Sequence, residues 1–511
     1  MRQIPWSSAV GQAPPVLPAA GKTPQFCQQQ SMLVAKAVSA DLDGHASIVC
    51  TTTRSYEIRN RRMPDYFVSG YRPFLTIAGW IDEYGPLITI RLKFERIVII
   101  GRYKAAAEIM ENQGKFLADR PPMIAAGELF SGGMSIGFIP FGDRFRRMRR
   151  ALHSHLQPKA AEAYQPLQMS HAKNIVLGVL DNPHNFRHHV ITYAATIILK
   201  VTYGKNTPTS ATDPDVIEAL QMMRRFIEIL RPGVYLVDSI PWLKYLPWYG
   251  RDLKLEFESR KKIQPWSVKP CEGANVVPQQ SDMDIGPSFM KDMLEDSQSH
   301  GLTETEVAFL GGAFLGAGLD TTSISICTVL MAAARFPEEQ AKVQAELDAV
   351  IGRHRGVPTF TLQERLTEQP KMKTIVFQLG LRIMLQEIKD LIVTALGLSL
   401  GIQMSTQNHT RSSLNAGLTN KGDLRDDLKF FVYGFGRRVC PGQHVANRSV
   451  FIITLLILWA YKLTLDPTKP LDDMELMAGS MPNVLPYTLE FGKRISETEL
   501  RSMMQHYPEV A

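Results

Sequence analysis

The sequence predicts a mainly α-helical fold with a small β region near the N-terminus. Residues 303–336 contain no proline and are apolar enough to form one helix of about 33 residues, roughly 50 Å long. Residues 158–258 alternate apolar helical runs with short breaks such as Asn182-Pro183, Asp213-Pro214 and Pro232-Gly233. Alternation with β-branched enrichment, the pattern of strands, is concentrated in residues 84–100.

In chain order, the first 60 residues carry Pro14-Pro15, Gln28-Gln29-Gln30 and Thr51-Thr52-Thr53 and read as irregular or disordered. After the turn at Gly85-Pro86, residues 87–92 read as a strand, residues 96–100 as a second, and residues 103–110 as a helix. Residues 141–150 hold Arg144, Arg146, Arg147, Arg149 and Arg150, for which a solvated basic helix face is the simplest account. Residues 261–280 contain Pro265, Pro270, Gly273 and Pro278 without helical period. Proline inside a helix costs about 3 kcal/mol, so a loop is expected there. Thr303 and Glu306 form a capping box that opens the long helix. Pro337 then starts another helix, which Gly352 closes. A last apolar helical run covers residues 445–463.

The chain has 511 residues and a net charge of +7 at pH 7. That balance suits a basic docking face or plain solubility and does not argue for nucleic acid, for which no recognition motif is visible. Cys27, Cys50, Cys271, Cys327 and Cys440 are odd in number and scattered, so neither a disulfide framework nor a zinc cluster is expected. No uncharged apolar stretch of about 18 residues is evident, so no spanning helix is predicted.

Two segments carry chemistry. The first is Tyr433-Gly434-Phe435-Gly436-Arg437-Arg438-Val439-Cys440-Pro441-Gly442, a glycine-rich turn that opens a helix. A helix N-terminus and a nearby arginine favour a thiolate, the soft metal ligand. A buried structural cysteine and a reactive thiol nucleophile are the other readings of such a residue. The second is Gly316-Ala317-Gly318-Leu319-Asp320-Thr321-Thr322 inside the long helix. Glycines there cost about 1 kcal/mol each, and an aspartate and two threonines sit in apolar company. Such local inconsistency marks functional sites, although packing against small residues also explains it.

The first segment resembles the axial-ligand loop of the cytochrome P450 family of haem-thiolate monooxygenases, and the second resembles that family's oxygen-activation motif. The resemblance implies haem, with Cys440 as its metal ligand and Tyr433, Gly436, Arg438 and Gly442 around it. Tyr433 stands where the family usually has phenylalanine. Arg149 matches the arginine of a Trp-x-x-x-Arg pattern that contacts a haem propionate, with Phe145 in place of the tryptophan. Gly318 would let the backbone pass over the haem, Thr321 would bond to bound oxygen or its water, and Asp320 would relay protons. The implied reaction inserts one oxygen atom from dioxygen into an apolar secondary metabolite or xenobiotic. The implied partner is an NADPH-cytochrome reductase, which an acidic surface would dock on the outward arginines. Phe130, Ile136, Phe314 and Leu315 are candidate pocket residues, with core packing as the alternative. The fungal microsomal members are the nearest in kind, implying the endoplasmic reticulum membrane surface, or the cytoplasm if the missing anchor is genuine. Membrane contact stays open without a spanning segment.

The pattern is broken between residues 380 and 420. The family's Glu-x-x-Arg pair should buttress the haem loop, but Leu379 stands three residues before Arg382, and Asp390 three after Glu387. An arginine left alone in a core costs roughly 3–5 kcal/mol. Residues 383–419 look unrelated to the rest, and register returns at Lys421. An imperfect gene model accounts for residues 383–419, 261–280 and 1–60 together. The expected organisation is an irregular segment over residues 1–60 and one catalytic domain over residues 61–500. The competing class is a haem-binding relative without turnover; a third is a scaffold without haem.

Overall fold

The computed structural model describes residues 56–58, 80–81, 83–85, 87–92, 95–101, 103–112, 114–205, 209–230, 234–263, 287–296, 300–354, 356–359, 433–469 and 485–507. The chain divides into units 1–54 and 55–511, and the described residues all lie in the second. Most of the predicted irregular N-terminal segment, most of 261–280, and all of 383–419 lie outside the described residues.

Three strands form the first sheet: β1 (Tyr56–Ile58), β2 (Leu87–Leu92) and β3 (Glu95–Ile100). β1 runs parallel to β2, and β2 pairs antiparallel with β3, Leu87 opposite Ile100. β1 corrects the irregular reading of residues 1–60 at its last few positions, because three residues are too few to show alternation. Next comes α1 (Tyr103–Ala107), which continues as a π turn over Glu108–Asn112. α2 (Asp143–Leu156) carries the arginines; α3 (Pro158–Ala163), α4 (Gln165–Asp181), α5 (Phe186–Tyr203) and α6 (Pro214–Ile229) form the helical middle. α7 (Arg251–Ile263) and the short α8 (Phe289–Glu295) precede α9 (Glu304–Arg335). α9 is the predicted long helix at 32 residues, and its capping box is made: Thr303 N–H donates to Glu306 Oε2 at 2.8 Å and Glu306 N–H to Thr303 Oγ1 at 3.3 Å.

α9 is the centre of the core, packing against α5, α6, α8 and α11 (Gln443–Ala460). Three of its four glycines are explained by close approach, while Gly312 has nothing within 4 Å of its Cβ position. At Gly311 a Cβ would sit 2.6 Å from Met290 Sδ, and at Gly318 it would run into Ile198 of α5. Its hydroxyls fold back on the helix: Ser323 donates to Leu319 O at 2.8 Å and Thr328 to Ile324 O at 2.9 Å. These two hydroxyls therefore stay satisfied among apolar neighbours.

The last apolar run does not stay helical to residue 463. α11 stops at Ala460, and β4 (Tyr461–Leu465) pairs antiparallel with β5 (Leu489–Lys493). Tyr461-Lys462-Leu463 alternates buried and exposed, the strand period. Two buried glutamines of α10 (Pro337–Val350) fix this junction. Gln340 exchanges both amide bonds with Leu463, at 3.0 and 2.7 Å, and Gln344 Nε2 donates to Tyr461 O at 2.9 Å. Arg494 closes it from the other side, pairing with Asp348 at 2.8 Å and donating to Leu458 O and Trp459 O. α12 (Glu497–Gln505) ends the described chain.

By length and composition α9 and α11 are apolar enough to cross a membrane. Most of each is buried within the protein, so that apolar surface serves the core.

Candidate active site

The thiol loop is built by two glycines and one hydrogen bond. Gly434 and Gly436 adopt φ of +78° and +62°, the left-handed region. A Cβ at Gly436 would collide with the Met110 carbonyl oxygen, so the loop lies directly on the π turn after α1. The chain then makes a 3-10 turn over Gly436–Arg438 and returns, with Cys440 N–H donating to Tyr433 O at 2.8 Å. Tyr433 pins the loop to α11 through its hydroxyl, which donates to Asn447 Oδ1 at 2.8 Å.

Cys440 therefore stands at the N-terminus of α11. Burial pushes its thiol up, while the Gly442 and Gln443 N–H groups and the Arg149 charge pull it back toward the thiolate. Arg149 donates to Val439 O and is itself pushed down by burial and held up by Cys440.

Arg438 donates to three carbonyls, Ala118 O at 2.7 Å, Ile139 O at 2.7 Å and Ile136 O at 3.3 Å. Its guanidinium lies 3.9 Å from the ring centroid of Phe145. Phe145 thus supplies a flat apolar face where the resemblance has tryptophan. Burial and the neighbouring Arg149 lower Arg438 to about 10 despite Asp119.

Sequence reasoning missed Arg120. It is lowered to about 10 by burial and then by Arg438, and its buried Nε has no hydrogen-bond partner among the described residues. Its only signal is an arginine ahead of Pro121-Pro122 in a stretch with no period. Arg120 and Arg149 both interact electrostatically with Arg438, while Asp119 spends one carboxylate oxygen on the Arg120 and Phe141 N–H groups. A cluster of cations this lightly neutralised suits a ligand that brings carboxylates of its own.

The long helix presents an open stripe. Ala317 and Thr321 are exposed and Ala313, Gly318 and Ser325 partly so, although the helix around them is buried. Thr321 Oγ1 donates to Ala317 O at 2.6 Å, leaving its oxygen lone pairs toward the open side. Asp320 does not share that stripe: it is 1% exposed and its charge is felt by Arg187 of α5. Gly318 is accounted for by Ile198, a helix-packing contact. The structure thus brings Arg149, Tyr433, Gly436, Arg438 and Gly442 together around Cys440, and sets Asp320 and Thr321 on different sides of α9.

Phe130, Phe314 and Leu315 are buried in packed clusters, Phe314 edge-on to Phe289 at 5.5 Å, while Ile136 is partly buried. Leu379, Arg382, Glu387 and Asp390 lie outside the described residues. Arg144 does not face outward as expected. It turns in to Glu306 at 2.5 Å and holds the start of α9. Arg146 and Arg150 of α2 and Arg437 of the thiol loop remain exposed.

A porphyrin with two carboxylates and an iron fits these residues: a thiol backed by helix N–H donors, a lightly neutralised arginine cluster, and a small-residue stripe on the neighbouring helix. A separate cleft of about 210 Å³, lined by residues including Arg335, Asp466 and Tyr487, has no such donor set. Arg335 is 14 residues beyond Thr321, about 21 Å along the helix.

The cytochrome P450 family model matches residues 76–368 and 418–491. Its interruption encloses Leu379 and Arg382. The chain is 37% identical over 444 residues to cytochrome P450 monooxygenase 113 of Postia placenta, covering 84% of this chain and 88% of that one. It is 35% identical to monooxygenase 64 of the same fungus, at the same coverage, and 28% identical over 488 residues to a cytochrome P450 monooxygenase of Armillaria gallica, covering 85% of this chain and 90% of that one. Among solved structures, a zebra fish cytochrome P450 with progesterone superposes with a TM-score of 0.59 at 18% identity, covering 83% of this chain and 99% of that one. At that identity it speaks to the fold alone.

Proposed function

Because the chain belongs to the cytochrome P450 family, an oxygen-incorporating class of oxidoreductases, we propose that Cys440 holds haem iron and that the protein oxidises an apolar small molecule. Haem, when bound, supplies the activation of dioxygen and the transfer of one oxygen atom. The chain's own residues supply the rest. Gly442 and Gln443 N–H groups and the Arg149 charge stabilise sulfur as an anion against its burial. Arg149, Arg438 and Arg120 pair with the propionates, exchanging main-chain carbonyl contacts or an orphaned nitrogen for charge-assisted bonds. Thr321 offers a hydroxyl to the open side of α9, where a proton is held or passed. Asp320 is the proton source behind it, linked to Arg187. Electrons come from NADPH through a reductase docked on Arg146, Arg150 and Arg437, which flank the thiol loop.

The single observation that carries this reading is the environment of Cys440: helix N–H donors and an arginine around a sulfur at the start of α11, a helix that packs against α9. Haem content tests it. The purified chain should carry about one haem per polypeptide, and Cys440→Ala should carry little; equal content in both defeats the assignment.

A second reading is favoured by the interruption over residues 369–417, which removes the Glu-x-x-Arg pair. On it the protein binds haem without turnover, as an imperfect gene model or a degenerate relative. Reductase-driven oxygen consumption separates the two, and sequencing of the mature transcript decides whether those residues are native. The secondary-metabolite or xenobiotic class and the endoplasmic reticulum surface belong to the same proposal.

A further inference from the structure

We propose that Arg144 is a positioning residue: its guanidinium latches residues 131–139 onto the start of α9 and so closes that end of the open stripe. The latch itself stands on contacts within the chain. Only its effect on access rests on the haem-thiolate reading.

Residues 131–139 have little of their own to hold them. Ser131 and Ile139 are buried, but every residue from 132 to 138 is at least partly exposed. Three of those seven are glycines, and Gly132 and Gly133 adopt φ of +55° and +70°. Ordering such a stretch costs much chain entropy. Ser131 Oγ anchors one end by donating to Ala126 O at 2.6 Å. Arg438 grips the other through Ile136 O and Ile139 O, and Phe138 leans on Phe226 of α6 at 5.2 Å. The middle falls to Arg144.

Arg144 is the second residue of α2, and its three nitrogens go to three partners. Nη1 donates to Gly133 O and Nη2 to Met134 Sδ, both at 2.9 Å, while Nε pairs with Glu306 Oε1 at 2.5 Å. Glu306 is buried and already caps α9 through Thr303. One planar fork thus joins α2, the loop and α9. A lysine would bring the charge to Glu306 but not the fork.

The loop held in this way reaches the stripe. A Cβ at Gly132 would run into the ring of Phe257 of α7. That ring lies 5.7 Å from the ring of Phe309 of α9, centroid to centroid. Phe309, Ala313, Ala317 and Thr321 follow at four-residue spacing and share one helix face. Loss of the latch therefore loosens the packing of Phe257 and Phe309 at the N-terminal end of that face.

The test is hydrogen exchange by mass spectrometry on the full chain as purified, comparing peptides over residues 131–139 and 303–309. Arg144→Gln should speed exchange in 131–139 about tenfold or more. Arg144→Lys should leave 303–309 within about twofold of wild type, yet still speed 131–139 at least about fivefold. If Arg144→Gln does not fold, the lysine variant decides alone. In haem-bound protein the loosened loop should admit 4-phenylimidazole, a bulky iron ligand, at least about threefold faster relative to imidazole. Exchange in 131–139 at the wild-type rate in both variants overturns the latch. Faster exchange confined to 303–309 also overturns it, because Arg144 would then serve only the helix cap. Unchanged ligand entry beside a loosened loop overturns the closure of the stripe. A chain that takes up no haem defeats the monooxygenase reading, and the exchange rates still decide the latch.

Discussion

Replacing Gly436 with alanine asks whether the thiol loop is held by close contact as well as by turn conformation. Gly436 sits at φ +62°, where an L-residue pays about 1–2 kcal/mol. A new Cβ would also meet the Met110 carbonyl oxygen, a backbone atom that cannot swing aside. Relief requires the loop to lift, and the Cys440 N–H to Tyr433 O bond is then at stake, worth roughly another 1 kcal/mol. The sum is about 2–3 kcal/mol, or some 30- to 150-fold in haem affinity at 1.4 kcal/mol per tenfold. Gly434 is the internal control. It has φ of +78° but nothing within 4 Å of its Cβ position, so Gly434→Ala should cost conformation alone, about 5- to 30-fold. Haem titration of the apo-protein, followed by absorbance, measures both. Equal affinities for the two variants would refute the contact with Met110, and a Gly436→Ala protein as tight as wild type would refute the loop's role.

Three further outcomes follow from the same structure. Arg120→Gln should weaken haem about tenfold while raising or leaving unchanged the melting temperature of the apo-protein, because a partly buried cation with an unpartnered Nε and Arg438 as its neighbour is removed; haem titration and calorimetry read the two effects. Thr321→Val should lower product formation per NADPH consumed by about 100-fold with normal haem content, seen as increased peroxide release. Burial raises the Asp348 carboxyl, but bonds and charge from Arg353 and Arg494 prevail and hold it below its ordinary value. A depressed carboxylate stabilises the fold above its unfolded pKa, and that contribution is lost as pH falls through the folded value. Asp348→Asn should therefore cost about 2 kcal/mol at pH 7, by urea midpoint, and the gap should close as the pH drops below about 4.

What was legible in the sequence was what repeats or what chemistry crowds into one loop. The long helix announced both its cap and its length through Thr303, Glu306 and the absence of proline, and the structure keeps it to within a residue of each end. The thiol loop was legible because glycines, arginine and cysteine fall within ten residues. Residues brought in from afar were not. Arg120 lies 320 positions before Cys440, and nothing local distinguishes it from a loop arginine. Arg144 looked like one of five outward cations, and its turn toward Glu306 depends on a contact 162 residues away. The end of α11 at Ala460 was hidden because a short buried strand and a buried helix share the same apolar composition, and the amides of Gln340 and Gln344 decide between them.

The central claim is that the sulfur of Cys440 binds haem iron as an anion. The reduced, carbon-monoxide-bound absorption spectrum of the purified chain tests it most directly. The account predicts the strongly red-shifted Soret band of thiolate ligation, abolished in Cys440→His. A band at the position given by histidine or neutral thiol, or the same spectrum in both proteins, contradicts it.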